Sequence, residues 1–150
     1  PGMQDVTESY NGTSWTEVSD LNLARYGLSG AGTATAGLAF GGSVDPGDKG
    51  ETESWNGSSW TEVNDLNTGD AFGAGFGTAT AALFIKPSTT EQFNGTSWTE
   101  VADTATPRGG LAPAQSGTTT AGLVFGGDSA SAVTEEWNAP TLATKTVDTD

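Results

Sequence analysis

The sequence lacks the residues that build many common active sites. Its 150 residues contain no cysteine and no histidine. Disulfides are therefore excluded, and so are the usual zinc and copper ligand sets. Without histidine, Ser-His-Asp and Cys-His nucleophilic catalysis is excluded as well. The remaining enzymatic alternative is cleavage of glycans by a pair of carboxylates.

Positive charge is also scarce. The chain has 5 Lys and Arg against 19 Asp and Glu, which gives a formal net charge of −14. Nucleic acids and anionic membrane surfaces are bound by basic faces, so neither is an expected partner. No apolar run reaches the length of a membrane span. We interpret the acidic charge as favouring solubility, and binding of a divalent cation by loop carboxylates is the alternative.

Two motifs repeat along the chain. The first reads Thr-Glu, a polar residue, an aromatic, Asn-Gly, Thr or Ser, and then Ser-Trp-Thr-Glu-Val; it occupies residues 7–18, 52–63 and 90–101, and a degraded copy starts at Thr134. The second, Gly-Thr-Ala-Thr-Ala-Gly-Leu-Ala-Phe-Gly-Gly at 32–42, returns at 77–86 and 117–127. Successive Asn-Gly pairs are 45 and 38 residues apart, a period found in propellers and solenoids.

Both motifs predict β-hairpins. Asn-Gly between alternating runs predicts a two-residue type I′ turn, in which both central residues have positive φ. The flanking aromatics then face each other as Tyr10 with Trp15, Trp55 with Trp60, and Phe93 with Trp98. The second motif predicts strands at 26–31 and 36–40 around a turn at 32–35. Glycine and β-branched threonine disfavour helix throughout.

Four short strands per period predict an all-β fold of β-propeller blades, each a four-stranded antiparallel sheet. The expected units are a half blade at 1–22, blades at 23–67 and 68–105, and a last blade with a C-terminal strand at 106–150. About three and a half blades form an incomplete ring. We expect further blades in a longer chain, which the start at Pro1 favours, or a ring shared by a homo-oligomer.

These residues resemble the Kelch repeat, in which an apolar strand ends in a double glycine and is followed by an aromatic and then a Trp. The resemblance implies structural roles for the double glycines, the third-strand aromatics and the fourth-strand tryptophans, which are Gly41, Gly42, Gly126 and Gly127, then Tyr10, Trp55, Phe93 and Trp137, then Trp15, Trp60 and Trp98. Arg25 and Arg108 lie where the family often has arginine. The middle repeat departs from the pattern, with Asp70 at the arginine position and Ile85-Lys86 in place of the double glycine. A copper radical oxidase of the galactose oxidase kind is excluded, since its ligands include His and Cys.

The repeats also resemble Kelch-type repeats of predicted tail-fibre and structural proteins of marine bacteriophages. That resemblance implies a non-enzymatic structural or adhesive module of a virion, extracellular and used in host attachment. Its expected partners are other virion proteins, further blades and a host-surface glycan. It also implies a closing strand at 144–147. The alternatives are a secreted or cell-surface bacterial adhesion propeller and, more distantly, a carboxylate-dependent glycan-active enzyme.

The glutamates are interpreted as scaffold because they repeat at fixed blade positions, namely Glu8, Glu53 and Glu91, and Glu17, Glu62 and Glu100. A catalytic pair would break this symmetry, so no catalytic residue is expected.

Contact with a ligand or receptor is expected in the loops that vary most between repeats, at 42–51, 86–90 and 127–133 and at 20–25, 65–70 and 103–108. The candidate contact residues there are Asp45, Asp48, Lys86, Arg25, Asp70 and Arg108. No cofactor is expected. Calcium bound by Asp45, Asp48 and Glu51 is the alternative, although their spacing matches no EF-hand and favours a solvated turn.

Overall fold

The computed structural model describes residues 2–128 and 133–138, so the strand expected at 144–147 lies outside the described residues. The described residues form antiparallel β-sheets and contain no helix, which confirms the all-β prediction. In the described part of the chain, no helix is long and apolar enough to cross a membrane.

The sheets follow the sequence repeat. The half blade is a hairpin of β1 (Glu8–Tyr10) and β2 (Trp15–Glu17). Blade 1 contains β3 (Ser29–Thr33) and β4 (Ala36–Phe40), then a small hairpin of β5 (Ser43–Val44) and β6 (Gly47–Asp48), then β7 (Thr52–Trp55) and β8 (Trp60–Val63). Blade 2 contains β9 (Ala74–Thr78), β10 (Ala81–Ile85), β11 (Thr90–Phe93) and β12 (Trp98–Val101). Blade 3 contains β13 (Ala112–Pro113), β14 (Ala121–Phe125) and β15 (Thr134–Asn138).

In blades 1 and 2 the four main strands pair in the order of the chain, β3-β4-β7-β8 and β9-β10-β11-β12. These are the predicted four-stranded antiparallel sheets. The first strands β3 and β9 lie side by side, and β9 also contacts β13. The sheets therefore converge on their first strands, as blades radiating from an axis do.

The Asn-Gly hairpins form, but the predicted turn type is wrong. Tyr10 pairs with Trp15, so the loop has four residues and not two. Gly12 has positive φ, whereas Asn11 does not. The Asn11 side chain instead accepts hydrogen bonds from the backbone N–H groups of Thr13 and Ser14, at 2.9 and 3.0 Å. An Asx-type turn replaces the type I′ turn because the side-chain oxygen satisfies two loop amides at once.

Two further features of blade 1 differ from the sequence prediction. The first strand begins at Ser29 and not at residue 26, because Gly27 turns the chain with a φ of 66°. Tyr26 exchanges both backbone hydrogen bonds with Ser43, at 3.2 and 2.8 Å, outside the main sheet. The β5–β6 hairpin was not predicted, since its strands are too short to show an alternating pattern.

Adjacent blades pack through alternate residues of their second strands. Leu38 and Phe40 project from one face of blade 1. They pack against apolar residues of blade 2, namely Ala82, Phe84, Phe93 and Trp98. The Phe40 ring centroid lies 5.2 Å from that of Phe84 and 5.0 Å from that of Trp98, with edge-on geometry. Leu83 and Ile85 pack toward blade 3 in the same way, against Leu111 and Val124.

Two of the fourth-strand tryptophans also form hydrogen bonds across blades. The Trp98 indole N–H donates to Thr52 Oγ1 in blade 1 at 3.0 Å, and that of Trp60 donates to Thr7 Oγ1 beside the half blade at 3.1 Å. Each of these two tryptophans therefore lies between neighbouring units while its one polar group finds a partner.

We expect Trp98→Ala to lower the free energy of unfolding by about 3–5 kcal/mol, because a large buried side chain and its hydrogen bond are lost together. The matched control is Trp15→Ala at the equivalent position of the half blade, where the side chain is 65% exposed and not 5%. That change should cost about 0.5 kcal/mol in urea unfolding. Equal losses for the two variants would contradict the packing described here.

Candidate functional site

One glutamate occupies the same place in each of blades 1, 2 and 3; it is buried in blades 1 and 2, and its side chain is 18% exposed in blade 3. It is the second residue of the third strand, at Glu53, Glu91 and Glu135. Each of the three carboxylates forms an ion pair with a buried cation; the pairs are Arg25 Nη1 with Glu53 Oε1 at 2.9 Å, Lys86 Nζ with Glu91 Oε1 at 2.5 Å, and Arg108 with Glu135. A buried charge is tolerated only when paired and hydrogen-bonded, so the cation is an obligatory partner.

The second carboxylate oxygen accepts hydrogen bonds from the link, the segment that connects the preceding unit to the blade. The backbone N–H and the side-chain amide of Asn67 both donate to Glu91 Oε2, at 2.8 and 2.7 Å. Asn22 makes the same two bonds to Glu53 Oε2, each at 2.7 Å. In blade 3 the backbone N–H of Ala105 donates to Glu135 Oε2, and that of Thr106 donates to Oε1, the oxygen that also pairs with Arg108. We call this unit, comprising glutamate, cation and link amides, the glutamate clamp.

Blade 2 builds its clamp from a different cation position. Arginine precedes the first strand in blades 1 and 3, whereas blade 2 has Asp70 there. Its cation is Lys86, which directly follows the second strand and also donates to the Thr68 carbonyl at 3.0 Å. The departure of the middle repeat is therefore a relocated cation, and the charge pair is retained.

The second glycine of each double glycine packs against the arginine. A Cβ atom at Gly42 would lie 3.2 Å from Arg25 Cδ, and one at Gly127 would lie 3.0 Å from Arg108 Cδ. By strand register Ile85 faces Thr90 as Phe40 faces Thr52, so the double glycine of blade 2 is replaced by Lys86-Pro87 and not by Ile85-Lys86. Blade 2 has no arginine at this place, and it has no glycine there either.

The clamp sets the ionisation of two of its glutamates. Burial disfavours the ionised form of Glu91 and raises its pKa. Hydrogen bonds from Lys86 and Asn67, with the charge of Lys86, outweigh burial, so the pKa of Glu91 lies below its ordinary value of 4.5. The pKa of Glu135 is lowered in the same way against burial, by Arg108 and by the Ala105 and Thr106 amides.

The structure separates the candidate contact residues into three groups by burial. Arg25, Lys86 and Arg108 are buried in clamps, with exposures of 1, 2 and 5%, and this corrects their assignment as surface contacts. Asp45 and Asp48 are exposed on the β5–β6 hairpin. Asp70 is half-buried, and its carboxylate accepts a hydrogen bond from the Ala71 N–H at 2.7 Å.

Within residues 2–128 and 133–138, no three His, Cys, Asp or Glu side chains converge to hold a metal ion. The calcium alternative at Asp45, Asp48 and Glu51 therefore has no assembled ligand cluster in the described structure.

Sequence reasoning did not identify the polar partners of the scaffold. Asn22 and Asn67 were not singled out, although each follows a leucine at the same repeat position. Three aspartates were also not recognised. Each accepts a hydrogen bond from the backbone N–H of the threonine that opens the first motif. The pairs are Asp20 with Thr7 at 3.3 Å, Asp65 with Thr52 at 3.1 Å, and Asp103 with Thr90 at 2.7 Å. Their constant spacing of 13 residues from the threonine was the available signal.

Comparison with known proteins gives no further assignment. No protein-family model matches the chain, and no curated protein matches it. The residues and contacts described above therefore carry the functional argument.

The relocated cation can be tested by moving it back. We expect Lys86→Gly/Pro87→Gly to lower the free energy of unfolding by about 3–5 kcal/mol, because Glu91 is left buried without a cation. Adding Asp70→Arg should restore most of the loss, since the glycines open the space that arginine uses in blade 1. Asp70→Arg alone should give no gain, because Lys86 already pairs with Glu91. The same effect of Asp70→Arg in both backgrounds, measured by urea unfolding, would contradict this account.

The lowered pKa of Glu91 predicts acid sensitivity. Its stabilisation is complete above the ordinary value of 4.5 and is lost as the pH falls through the lower value of the folded state. We expect the unfolding free energy of the Glu91→Gln variant to decline less steeply below pH 4.5 than that of the unmodified chain. The control is Glu62→Gln on the exposed strand β8, which should preserve the steep decline. Parallel pH profiles for all three proteins would refute the assignment.

Proposed function

We propose that the chain is a non-enzymatic scaffold of Kelch-type propeller blades that displays a variable loop for contact with another surface. The observation that carries this proposal is the repeated glutamate clamp. The three glutamates of blades 1, 2 and 3 are each bound by a cation and by link amides. Charged residues with these partners serve to join the blades.

The direction of two pKa shifts also supports a scaffold. A glycosidase acid is kept neutral by a raised pKa beside an ionised partner. The pKa values of Glu91 and Glu135 are instead lowered, so these carboxylates stay ionised. That direction suits an ion pair and opposes service as a general acid.

The β5–β6 hairpin is the best candidate contact surface. It interrupts blade 1 between β4 and β7, where blade 2 has only a short connection at 86–89. Asp45 and Asp48 are exposed on it, and carboxylates there can accept hydrogen bonds from sugar hydroxyls or pair with a basic surface. An insertion on a rigid scaffold is a frequent site of recognition.

The setting we propose is a virion appendage such as a phage tail fibre, used in attachment to a host-surface glycan. It rests on the resemblance of the repeats to those of marine phage structural proteins. A secreted or cell-surface bacterial adhesion module would use the same scaffold and the same hairpin.

A glycan array and immobilised bacterial envelope fragments test the contact surface. We expect Asp45→Asn/Asp48→Asn to weaken binding by at least about tenfold, since hydrogen bonds to two charged acceptors are lost. Glu17→Gln/Glu62→Gln removes the same charge from exposed strand positions and should leave binding unchanged. A chain that binds neither surface, or equal losses for the two variants, would overturn the proposed contact.

A further inference from the structure

The half blade has a free strand edge. Strand β1 pairs with β2 on one side, and no other strand among residues 2–128 and 133–138 pairs with it. In blades 1 and 2 the equivalent strands β7 and β11 pair on the other side with β4 and β10. Unpaired N–H and C=O groups on such an edge are a template for an added strand.

An apolar groove lies beside this edge. Its volume is about 300 Å³, and its walls come from the half blade and from blade 1. They include Tyr10, Val18, Gly37, Trp55 and Trp60. Such a groove beside an unpaired edge offers pockets for side chains together with main-chain hydrogen bonds.

The next interface along the chain shows what fits the groove. The repeat equivalents of Trp55 and Trp60 are Phe93 and Trp98, which Leu38 and Phe40 of β4 cover from blade 1. The Phe40 ring lies 5.0 Å from that of Trp98. The groove therefore matches the place that two alternate apolar side chains of a second strand fill one blade further on.

The charge of Glu8 favours the same kind of segment. Glu8 is the half-blade equivalent of Glu53 and Glu91, which are each 1% exposed and paired with a cation. Glu8 is exposed, and no cation pairs with it in the described residues. In blade 2 the cation, Lys86, directly follows the second strand. A strand of that kind would bring apolar side chains to the groove and a cation to Glu8.

We propose that the groove and the free edge of β1 bind one extended segment, added as an antiparallel strand. The segment carries large apolar residues two positions apart and a lysine directly after the second of them, as in Leu83-Phe84-Ile85-Lys86. Main-chain bonds to β1 supply affinity, and the two pockets and Glu8 supply specificity. The half blade is then an acceptor site for a donor strand.

The probe is a free peptide with the sequence of residues 80–87, added to the intact chain. We expect saturable binding, with NMR shifts concentrated on the backbone amides of β1 and on the indole N–H signals of Trp15 and Trp60. The control peptide carries Leu83→Ser/Ile85→Ser and should not bind. Equal binding of the two peptides would overturn the proposal.

The charge is tested by binding two peptides to each of three proteins. A Lys86→Met peptide should bind the unmodified chain about tenfold more weakly than the parent peptide, because a charge-assisted hydrogen bond to Glu8 is lost. On a Glu8→Gln variant the two peptides should bind equally. Glu17→Gln, which removes a charge from β2, should preserve the tenfold difference. An undiminished difference on the Glu8→Gln variant would refute the role of Glu8.

The free edge is tested by N-methylated peptides. Alternate N–H groups of an antiparallel strand face its partner, so methylation of one alternating set should abolish binding and methylation of the other should not. Equal tolerance of both sets would show that the groove only absorbs apolar side chains, against the proposal. Sedimentation supplies the last arm: a dimer that persists at saturating peptide would mean that a second copy occupies the groove, which also overturns it.

Discussion

The third-strand glutamate, which is buried in blades 1 and 2, is the constraint on which these blades depend. Its carboxylate is removed from water, so every lone pair needs a donor and the charge needs a cation. One oxygen takes the cation, and the other takes amides of the link that enters from the preceding unit, as with Lys86 and Asn67 around Glu91. A single side chain therefore fixes both the strand and the connection between units.

The glutamate requires a cation beside it, but that cation can come from different positions in the repeat. Arg25 reaches Glu53 from before the first strand, while Lys86 reaches Glu91 from after the second. In blade 1 the second glycine of the pair lies against Arg25, and blade 2, which has no arginine there, has Pro87 in its place. This explains why the middle repeat departs at two separated positions together and keeps its packing, with Phe84 and Trp98 closed around Phe40.

The strands of the complete blades could be predicted from the sequence because aromatic, apolar and Asn-Gly positions recur with a strand-like alternation. The observed pairs Trp55–Trp60 and Phe93–Trp98 are those the pattern indicates. The clamp could not be predicted in this way, since Asn67 and Glu91 are 24 residues apart and meet only through the arrangement of the chain. The same limit explains why Lys86 was expected on a surface loop. A lysine after a strand looks exposed in sequence, but its long side chain folds back to a carboxylate five residues on.

A double-mutant cycle on Lys86 and Glu91 tests the central claim most directly. The free energy of unfolding would be measured for Lys86→Met, Glu91→Gln, the double variant and the unmodified chain. If the clamp is one unit, each single change leaves a buried partner unpaired. The free energy of unfolding lost by the double variant is then smaller than the sum of the two single losses, by about 1–3 kcal/mol. Losses that add, with no coupling between the two positions, would contradict the account.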